Sequence, residues 1–383
     1  MKVGNTNVLL RQFTADSVIE ECHLVIRHTN PAATFSAQSG DLLAALRQVL
    51  AGMPGMTPVM ERWFLSDSST QQPQLAPLLS DRAYAVSIVE QPPLDGTKAA
   101  LWVQLRRNVS VVRLSPSLSA CSHGPYTDLV ATCMTAAGRD SRSQTRELLL
   151  GYAENIGEQG CTLAENCVRT WFFVQNIDVN YSGVVTGRNE VFAAQGLTSD
   201  THFIASTGIG GRTPDRGRYV SMDALAIKGL HPQQISYLYA SSCMNRTSDY
   251  GVSFERGTRI DYGDRRHLLI SGTASIDNRG RVLYPSDVTR QTERMLDNVS
   301  QLLSEGGCTF ADVMHIIVYL RDIADYTTVS AIFQKRFPDM PLVIVYAPVC
   351  RPGWLVEMEC MAVRAQSDPR FSAYNSPTTR SNI

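Results

Sequence analysis

The sequence predicts an α+β protein made of three tandem copies of one module, and three observations lead to that fold class. The 383 residues are 44% apolar and 19% charged, which is enough apolar material for several sizeable cores. A helix-and-strand segment of the middle third recurs in the last third. The last third reads, in order, as β-β-α-β-α-β-β. Because the helices of a module must cover one face of its sheet, three modules imply three sheets packed about a shared core.

The internal repeat is the most informative feature of the chain. The segment QTRELLLGYAENIGEQGCTLAENCVRTWFFVQNID, from Gln144, aligns with QTERMLDNVSQLLSEGGCTFADVMHIIVYLRDIAD, from Gln291, at a constant offset of 147 residues. About nine of the thirty-five positions are identical, including the Gly-Cys-Thr triplets at 160–162 and 307–309. Both copies therefore predict a helix followed by a strand.

The third module carries the clearest signals for its elements. Two strand candidates come first, SFERGTRI from Ser253 and HLLISGTASI from His267. Apolar residues at helical spacing then predict a helix that stops at the glycine pair 306–307. The later candidates are a strand over 314–320, a helix up to Pro338, and strands over 343–347 and 354–363.

A fainter copy of the same order opens the chain. Its candidates are a helix over 42–50, the strand ERWFL at 61–65, a Gln/Leu-rich helix over 71–79, and the strands AYAVSIV and KAALWVQL. We therefore divide the chain into modules at 1–115, 116–235 and 236–365. The tail at 366–383 is rich in Ser, Pro, Thr, Asn and Arg, and is expected to be disordered.

Composition excludes several classes of function. Thirty-five Lys and Arg against thirty-six Asp and Glu leave a formal charge of -1, which argues against a nucleic-acid partner. No stretch approaches the apolar length of a membrane span, so we expect no membrane partner and a cytoplasmic location. The nine Cys and seven His show no zinc-type spacing, so we expect reduced thiols, no metal and no cofactor.

Four stretches of the third module form a recognisable set: SGTASI at 271–276, GGCTFADV at 306–313, VYLRD at 318–322 and LVEMECMAV at 355–363. Together they resemble the RidA/YjgF family, some of whose members are called L-PSP endoribonucleases. The resemblance implies a chorismate-mutase-like fold, a trimer with small-molecule sites between subunits, and hydrolysis of enamines or imines. In this chain three modules would form an intrachain pseudo-trimer, so we expect a monomer, with a higher oligomer left open. The family's substrate-gripping Arg aligns with Leu342, so the standard deaminase site is not intact.

A more distant resemblance is to chorismatases, which hydrolyse the enolpyruvyl ether of chorismate. It lies in FIASTGIGG at 203–211, the Tyr-Gly and F-x-R stretch at 250–256, SGTASI, and CRPGWLVEME at 350–359. It implies that Glu357 is the acid and that Cys350 marks a product subclass. Against chorismate itself, DNRG at 277–280 replaces the G-H-E-S stretch of that family.

The last strand carries two candidate catalytic carboxyls, which can be recognised without reference to any family. Alternation puts Glu357 and Glu359 on one face of an otherwise apolar strand, about 7 Å apart. Burial and the like charge would raise the pKa of one carboxyl and make it a general acid near neutrality. The alternative is that both glutamates lie on a solvated face, or at a module interface where they pair with Arg351. The matching positions are Ser221 and Asp223 in the middle module and lie near Ala100 and Trp102 in the first, which favours one working cleft and two degenerate ones.

The predicted site therefore has Glu357 as the catalytic acid and a set of substrate-binding candidates. Arg351 and Arg321 are candidate carboxylate clamps, although Arg321 could instead pair with Asp322 or Asp325. The remaining binding candidates are Cys350, Glu359, Tyr250, Gly272, Thr273, Thr207 and Gly208, and Arg256 is expected near Tyr250.

Three functions remain open from the sequence. The first is a small-molecule hydrolase or lyase that cleaves a carboxylated enolpyruvyl ether. The second is a RidA-type enamine or imine deaminase. The third is a non-catalytic metabolite-binding protein, and an endoribonuclease or translation inhibitor is disfavoured because the charge is balanced and no His-based acid/base pair is visible.

Overall fold

The computed structural model describes residues 1–375, except for the side chain of Tyr250. It contains three six-stranded sheets, and in each the strands lie in the order first, second, third, sixth, fourth, fifth. Each sheet belongs to one stretch of chain, so the prediction of three tandem α+β modules is confirmed. Within the described residues, no helix is both long enough and apolar enough to cross a membrane.

The six strands of each module correspond one to one with those of the other two modules. The first module contains β1 (Lys2–Val3), β2 (Thr6–Ala15), β3 (Val18–His28), α1 (Phe35–Ala51), β4 (Met56–Leu65), α2 (Ser68–Leu75), β5 (Ala85–Glu90) and β6 (Ala99–Arg107). The second contains β7 (Ser110–Ser115), β8 (Leu118–His123), β9 (Tyr126–Thr135), α3 (Ser141–Gly157), α4 (Leu163–Asn166), β10 (Cys167–Val174), α5 (Ile177–Ala194), β11 (Ala205–Gly210) and β12 (Val220–Lys228). The third contains β13 (Ile235–Leu238), β14 (Gly257–Asp261), β15 (Arg265–Ala274), α6 (Val288–Glu305), β16 (Val313–Leu320), α7 (Tyr326–Arg336), β17 (Leu342–Tyr346) and β18 (Val356–Ala365).

The sequence-based prediction misses the first strand of the third module and, in the first module, all three strands before α1. In the third module the missed strand is β13, a four-residue edge strand that pairs only with β14 and is too short for a clear alternation. The predicted strand from Ser253 begins only at Gly257, because the backbone N–H of Glu255 donates to Ile204 of the middle module instead. The predicted boundary at 115 is also wrong, since β7 at 110–115 pairs with β8 of the middle module.

Each sheet is covered on one face by its own helices. In the third module, α6 begins at Val288 because the Asp287 side chain caps the N–H of Arg290, and it ends at Gly306. Its apolar side packs against the inward residues of β18 in one buried cluster. The members from these two elements are Met295, Leu296, Val299, Leu302, Leu303, Val356, Met358, Cys360 and Ala362. Because these residues occupy one face of β18, Glu357 and Glu359 point to the other face, toward the neighbouring modules.

A buried glutamine near the start of the long helix has the same role in all three modules. Gln291 Nε2 donates to the carbonyl of Gly353 (2.9 Å), and its Oε1 accepts from the N–H of Leu355 (2.9 Å). Gln144 makes the matching pair with Gly217 and Tyr219, and Gln38 accepts from the N–H of Lys98. These bonds hold the loop before the last strand of each module, which explains why the repeat keeps Gln144 and Gln291.

The loops before the last strands join the modules to one another. Glu90 at the end of β5 pairs with Arg212 of the middle module, and Ile209 in β11 pairs with Val349 of the third. Val345 in β17 pairs with Pro93 of the first module. The three bridges close a ring of modules within one chain, and each bridge brackets a cleft between two neighbours.

The segment after β18 contradicts the predicted disorder as far as it is described. Ser372 accepts hydrogen bonds from the N–H of Gly263 and from the Tyr126 hydroxyl, and the N–H of Tyr374 donates to Asp264. The Tyr374 ring is fully buried and stacks on His123 with centroids 3.8 Å apart. Polar composition therefore misled the prediction for 366–375, because one buried aromatic ring anchors the segment. Residues 376–383 lie outside the described residues.

Replacing Tyr374 by alanine is expected to lower the free energy of unfolding by about 2 kcal/mol. The cost stays below that of a central core residue because a terminal segment can detach while the modules remain folded. Tyr374→Phe is the matched control, since the Tyr374 hydroxyl has no hydrogen-bond partner among the described residues. Urea unfolding of both variants checks this, and equal stability of Tyr374→Ala and the native protein would contradict the anchoring role.

Candidate active site

A pocket lies between the middle and third modules, with about 510 Å³ of empty space that includes the solvent at its mouth. The middle module contributes Tyr181 and Arg188 from α5, and Ser206 and Gly208 from β11. The polar and aromatic groups of the third module are Phe254, Arg256, Cys350, Arg351, Trp354 and Glu357, and Gly272 forms part of the wall. The pocket therefore joins residues far apart in sequence, and five of the predicted site residues line it: Glu357, Arg351, Cys350, Gly272 and Gly208.

Glu357 is the one acidic residue among the described residues that line the pocket. Its side chain is 5% exposed, and its carboxyl makes no hydrogen bond with any described residue. Burial, together with the negative charge of Glu359, raises the pKa of Glu357 to about 8. The group is therefore mostly protonated at neutral pH and can donate a proton into the pocket.

Gly272 makes room for the Glu357 carboxyl. A Cβ atom at position 272 would lie 2.2 Å from Glu357 Oε1 and 3.1 Å from the methyl carbon of Thr207. The strand β15 bulges at this point, between Ile270 and Thr273, so the backbone of Gly272 lies directly beneath the carboxyl. The absence of a side chain here is a requirement of the pocket.

Gly272→Ala is expected to fold and to lower turnover by roughly tenfold. The carboxyl is the movable end of a flexible side chain, so it swings away from the new methyl group and loses its position for proton transfer. Gly353→Ala is a control, since a Cβ there would meet only Val282 at 3.4 Å or more. The measurement is turnover of both variants. Native turnover in Gly272→Ala would show that the space above Gly272 does not position the Glu357 carboxyl.

Three cationic side chains face this single carboxyl. Arg188 and Arg256 are 1% and 3% exposed, whereas Arg351 is half-buried beside the Trp354 ring, 5.2 Å from its centroid. Arg256 donates to the Asn245 carbonyl (3.1 Å), which fixes one edge of its guanidinium. A pocket with this lining favours a small ligand that carries negative charge.

Sequence reasoning missed Arg188 and Tyr181, although one signal pointed to them. They lie seven residues apart in α5, which places both on the same face of the helix. Nothing in the sequence shows that this face meets the third module. The Tyr181 ring packs against Gly208, where a Cβ would lie 2.9 Å from the ring.

Four predicted binding residues lie outside the pocket lining. Glu359 and Thr207 lie behind it, where Thr207 Oγ1 donates to Glu359 Oε2 (2.5 Å) and accepts from the Gly272 N–H (2.9 Å). Thr273 donates to the Ser271 carbonyl and is buried in β15. Arg321 forms a bidentate pair with Asp178 of the middle module and also donates to the Val349 carbonyl, so it fixes the loop that carries Cys350. The side chain of Tyr250 lies outside the described residues.

Cys350 lines the pocket without the character of a nucleophile. Burial raises the pKa of its thiol to about 12, with a further contribution from the nearby Glu357. A thiol with such a pKa is almost entirely protonated at neutral pH. Within the described residues, no group of three or more His, Cys, Asp or Glu is placed to hold a metal ion.

The two equivalent clefts carry no acid at the corresponding position. Strand register places Ser221 and Ala100 at the position of Glu357, and it places Cys133 at the position of Gly272. The Cys133 sulfur accepts a hydrogen bond from the N–H of Ile88 (3.1 Å), so a side chain lies where Gly272 leaves open space.

The third module is similar in sequence to a known family and to several known proteins. A family model described as Endoribonuclease L-PSP matches residues 261–364. The 2-iminobutanoate/2-iminopropanoate deaminase of Bos taurus is 32% identical over 101 residues, which cover 26% of this chain and 74% of that protein. The 3-aminoacrylate deaminase RutC of Acinetobacter baylyi is 27% identical over 97 residues, 25% of this chain and 77% of that protein.

A solved structure extends the likeness to most of the chain. A crystal structure of a chorismatase superposes with a TM-score of 0.63 at 22% identity, covering 80% of this chain and 93% of the other. At that identity the likeness concerns the fold, and it includes more than one module. Together with the sequence match of the third module, these findings show that the chain belongs to the RidA/YjgF family.

Proposed function

We propose that the protein is a hydrolase that cleaves a small carboxylated enolpyruvyl ether, with Glu357 as the general acid. The observation that carries the proposal is a buried, protonated carboxyl that faces a cationic pocket and makes no hydrogen bond with the described residues. A general acid has to hold its proton at the working pH and release it to substrate rather than to a protein partner. Glu357 meets both conditions.

The pocket lining suggests how the substrate would be held. The guanidinium groups of Arg188, Arg256 and Arg351 would bind its carboxylates, and the faces of Phe254 and Trp354 would contact its apolar ring. Chorismate, which carries two carboxylates and one enolpyruvyl ether, has this chemistry. The stretch DNRG at 277–280 lies on the third module's loop between β15 and α6, so a related ether with a different ring substituent also fits the proposal.

The reaction follows from one proton transfer to carbon. Glu357 protonates the methylene carbon of the enolpyruvyl group, and the C=C electron pair forms the new C–H bond, leaving an oxocarbenium ion. Water adds to the oxocarbenium carbon and returns a proton to the Glu357 carboxylate. The resulting hemiketal breaks its bond to the ring oxygen, so that pyruvate and the ring alcohol leave. Such an acid contributes about 10²–10⁴ in rate.

Imine deamination is the second candidate, because the curated relatives at 27–32% identity are deaminases. Leu342, the position aligned with the family's Arg, is apolar and 9% exposed. A protein that only binds a metabolite is less consistent with a carboxyl left without a hydrogen bond in an open pocket. Because both walls of the pocket come from one chain, we expect a monomer to be active and to need no cofactor.

The test is incubation with chorismate and, separately, with an imine derived from an amino acid. Pyruvate released from chorismate supports the proposal. Ammonia released from the imine without pyruvate from chorismate supports the deaminase instead. Release of neither product overturns both enzymatic proposals for these substrates and favours a binding role.

A further inference from the structure

Glu359 lies two residues beyond Glu357 on β18 and has a very different environment. Its Oε1 accepts from Trp171 Nε1 (2.7 Å), and its Oε2 accepts from Arg169 Nη2 (2.8 Å) and Thr207 Oγ1 (2.5 Å). All three donors belong to the middle module, and the carboxylate is 3% exposed. Arg62 of the first module forms a further ion pair with it, with Nη1 3.7 Å from Oε1. A carboxylate with one cationic and two neutral donors is strongly stabilised in its ionised form.

Glu357 and Glu359 differ in their hydrogen-bond donors, and this difference determines which carboxyl holds a proton. Two carboxyls about 7 Å apart in a buried strand repel each other when both are ionised. Glu359 has its donors in place, whereas Glu357 has none among the described residues. A proton on the pair therefore resides on Glu357, the carboxyl without a hydrogen-bond donor among the described residues.

We propose that Glu359 is a positioning residue, which the middle module fixes as a buried carboxylate so that the proton of the glutamate pair stays on Glu357. This inference rests on the proposed function, in which Glu357 is the acid. It also gives the ring of modules a chemical role, since Arg169, Trp171 and Thr207 act on the site through Glu359 without lining the pocket.

The other charged and titratable groups around Glu357 shift its pKa in opposite directions. They are Arg169 on β10, Arg256 before β14, Arg188 on α5, Tyr319 on β16, and Cys350 and Arg351 in the loop before β18. Arg169 and Arg256 lower the pKa of Glu357, whereas burial and Glu359 raise it. The net rise to about 8 shows that burial and the like charge outweigh the two guanidiniums.

The middle module offers a matched control for Glu359. Asp223 occupies the equivalent position in β12, where it accepts from Arg62 Nη2 (2.9 Å), Ser87 Oγ (2.5 Å) and the Cys133 N–H (2.9 Å). Its neighbour at the Glu357 position is Ser221, which carries no titrating proton. Arg62 Nη1 also lies 3.7 Å from Glu359 Oε1, so loss of the Asp223 charge tests whether a change at this shared guanidinium, rather than the charge of Glu359 itself, moves the limb.

The experiment compares Glu359→Gln with Asp223→Asn in two measurements. One is the pH profile of turnover, and the other, which needs no substrate, is the change of unfolding free energy between pH 5 and 8. In Glu359→Gln the alkaline limb of turnover should move down by about one pH unit, which is a roughly fivefold loss at pH 8 that approaches tenfold at pH 9, and the pH dependence of stability should weaken. Asp223→Asn should keep the native limb and the native pH dependence.

The outcomes separate this inference from the proposed function. An unchanged limb and an unchanged stability slope in Glu359→Gln overturn the positioning role. A weakened slope in a protein that releases no pyruvate supports the placement of the proton and overturns the proposed reaction instead.

Trp171→Phe is the second variant that tests the positioning role of Glu359 if Glu359→Gln does not fold. Loss of one neutral donor lets Glu359 share the proton, so turnover should fall severalfold below pH 8 without the limb moving to lower pH. Native turnover at every pH in Trp171→Phe overturns the inference.

Discussion

Glu357→Gln is expected to lower turnover of an enolpyruvyl ether by about 10²–10⁴-fold at pH 7, with a much smaller change in KM. Glutamine keeps the shape of the side chain and can occupy the space above Gly272, but it has no acid proton to give to carbon. In the native protein, turnover should fall as pH rises through about 8, because the pKa of Glu357 lies there and only its protonated form is competent.

Cys350→Ala provides the control for this variant. It changes the same pocket but removes a thiol whose pKa is raised to about 12, so turnover should stay within about tenfold of the native value. Steady-state kinetics from pH 5 to 10 on both variants check the prediction. Turnover of Glu357→Gln within threefold of the native protein would show that the acid is another group.

The same Glu357→Gln change is expected to raise the free energy of unfolding by about 3 kcal/mol at pH 7. In the unfolded chain the pKa of Glu357 returns to 4.5, whereas in the folded protein it is about 8. Between these values the folded state holds a proton that the unfolded state has lost, so native stability decreases as pH rises from 4.5 to 8. Glutamine removes this penalty, which corresponds to about 1.4 kcal/mol per pH unit.

The sign of this effect distinguishes it from ordinary mutational damage. The gain should shrink to below about 1 kcal/mol at pH 5, where glutamate is protonated or nearly so in both states. Denaturant unfolding at pH 5 and 7 measures it. A Glu357→Gln variant that is equally destabilised at both pH values would mean that Glu357 is ionised in the folded protein.

The two predictions together describe a residue that costs stability and supports chemistry. A buried acid without a hydrogen bond to the described residues is unfavourable for the fold, and such groups are enriched at sites where a proton must move. The equivalent positions, Ser221 and Ala100, carry no such cost, in keeping with clefts that have no acid there.

Local patterns were sufficient to predict most of the fold. The repeat from Gln144 and Gln291 recovers two modules because both glutamines hold the same loop, and the alternation in β18 places Glu357 and Glu359 on the face away from the helices. Short edge strands such as β13 were missed, since four residues carry no readable period.

The site could be predicted only in part because it forms between modules. Glu357 and Arg351 follow from one strand and the turn before it, but Arg188 reaches the pocket from a helix of another module. Arg321 was expected to bind an anion or a nearby aspartate, and its partner is Asp178, which is 143 residues away in sequence. Such long-range pairings depend on how the modules dock, which no local pattern records.

The proposed acid catalysis by Glu357 is tested by hydrolysis of chorismate, or a related enolpyruvyl ether, in water enriched in ¹⁸O. We expect release of pyruvate together with a ring alcohol that contains only ¹⁶O, because water adds to the enolpyruvyl carbon after Glu357 has protonated the methylene. Appearance of ¹⁸O in the ring alcohol, or absence of pyruvate for every enolpyruvyl ether offered, would contradict it.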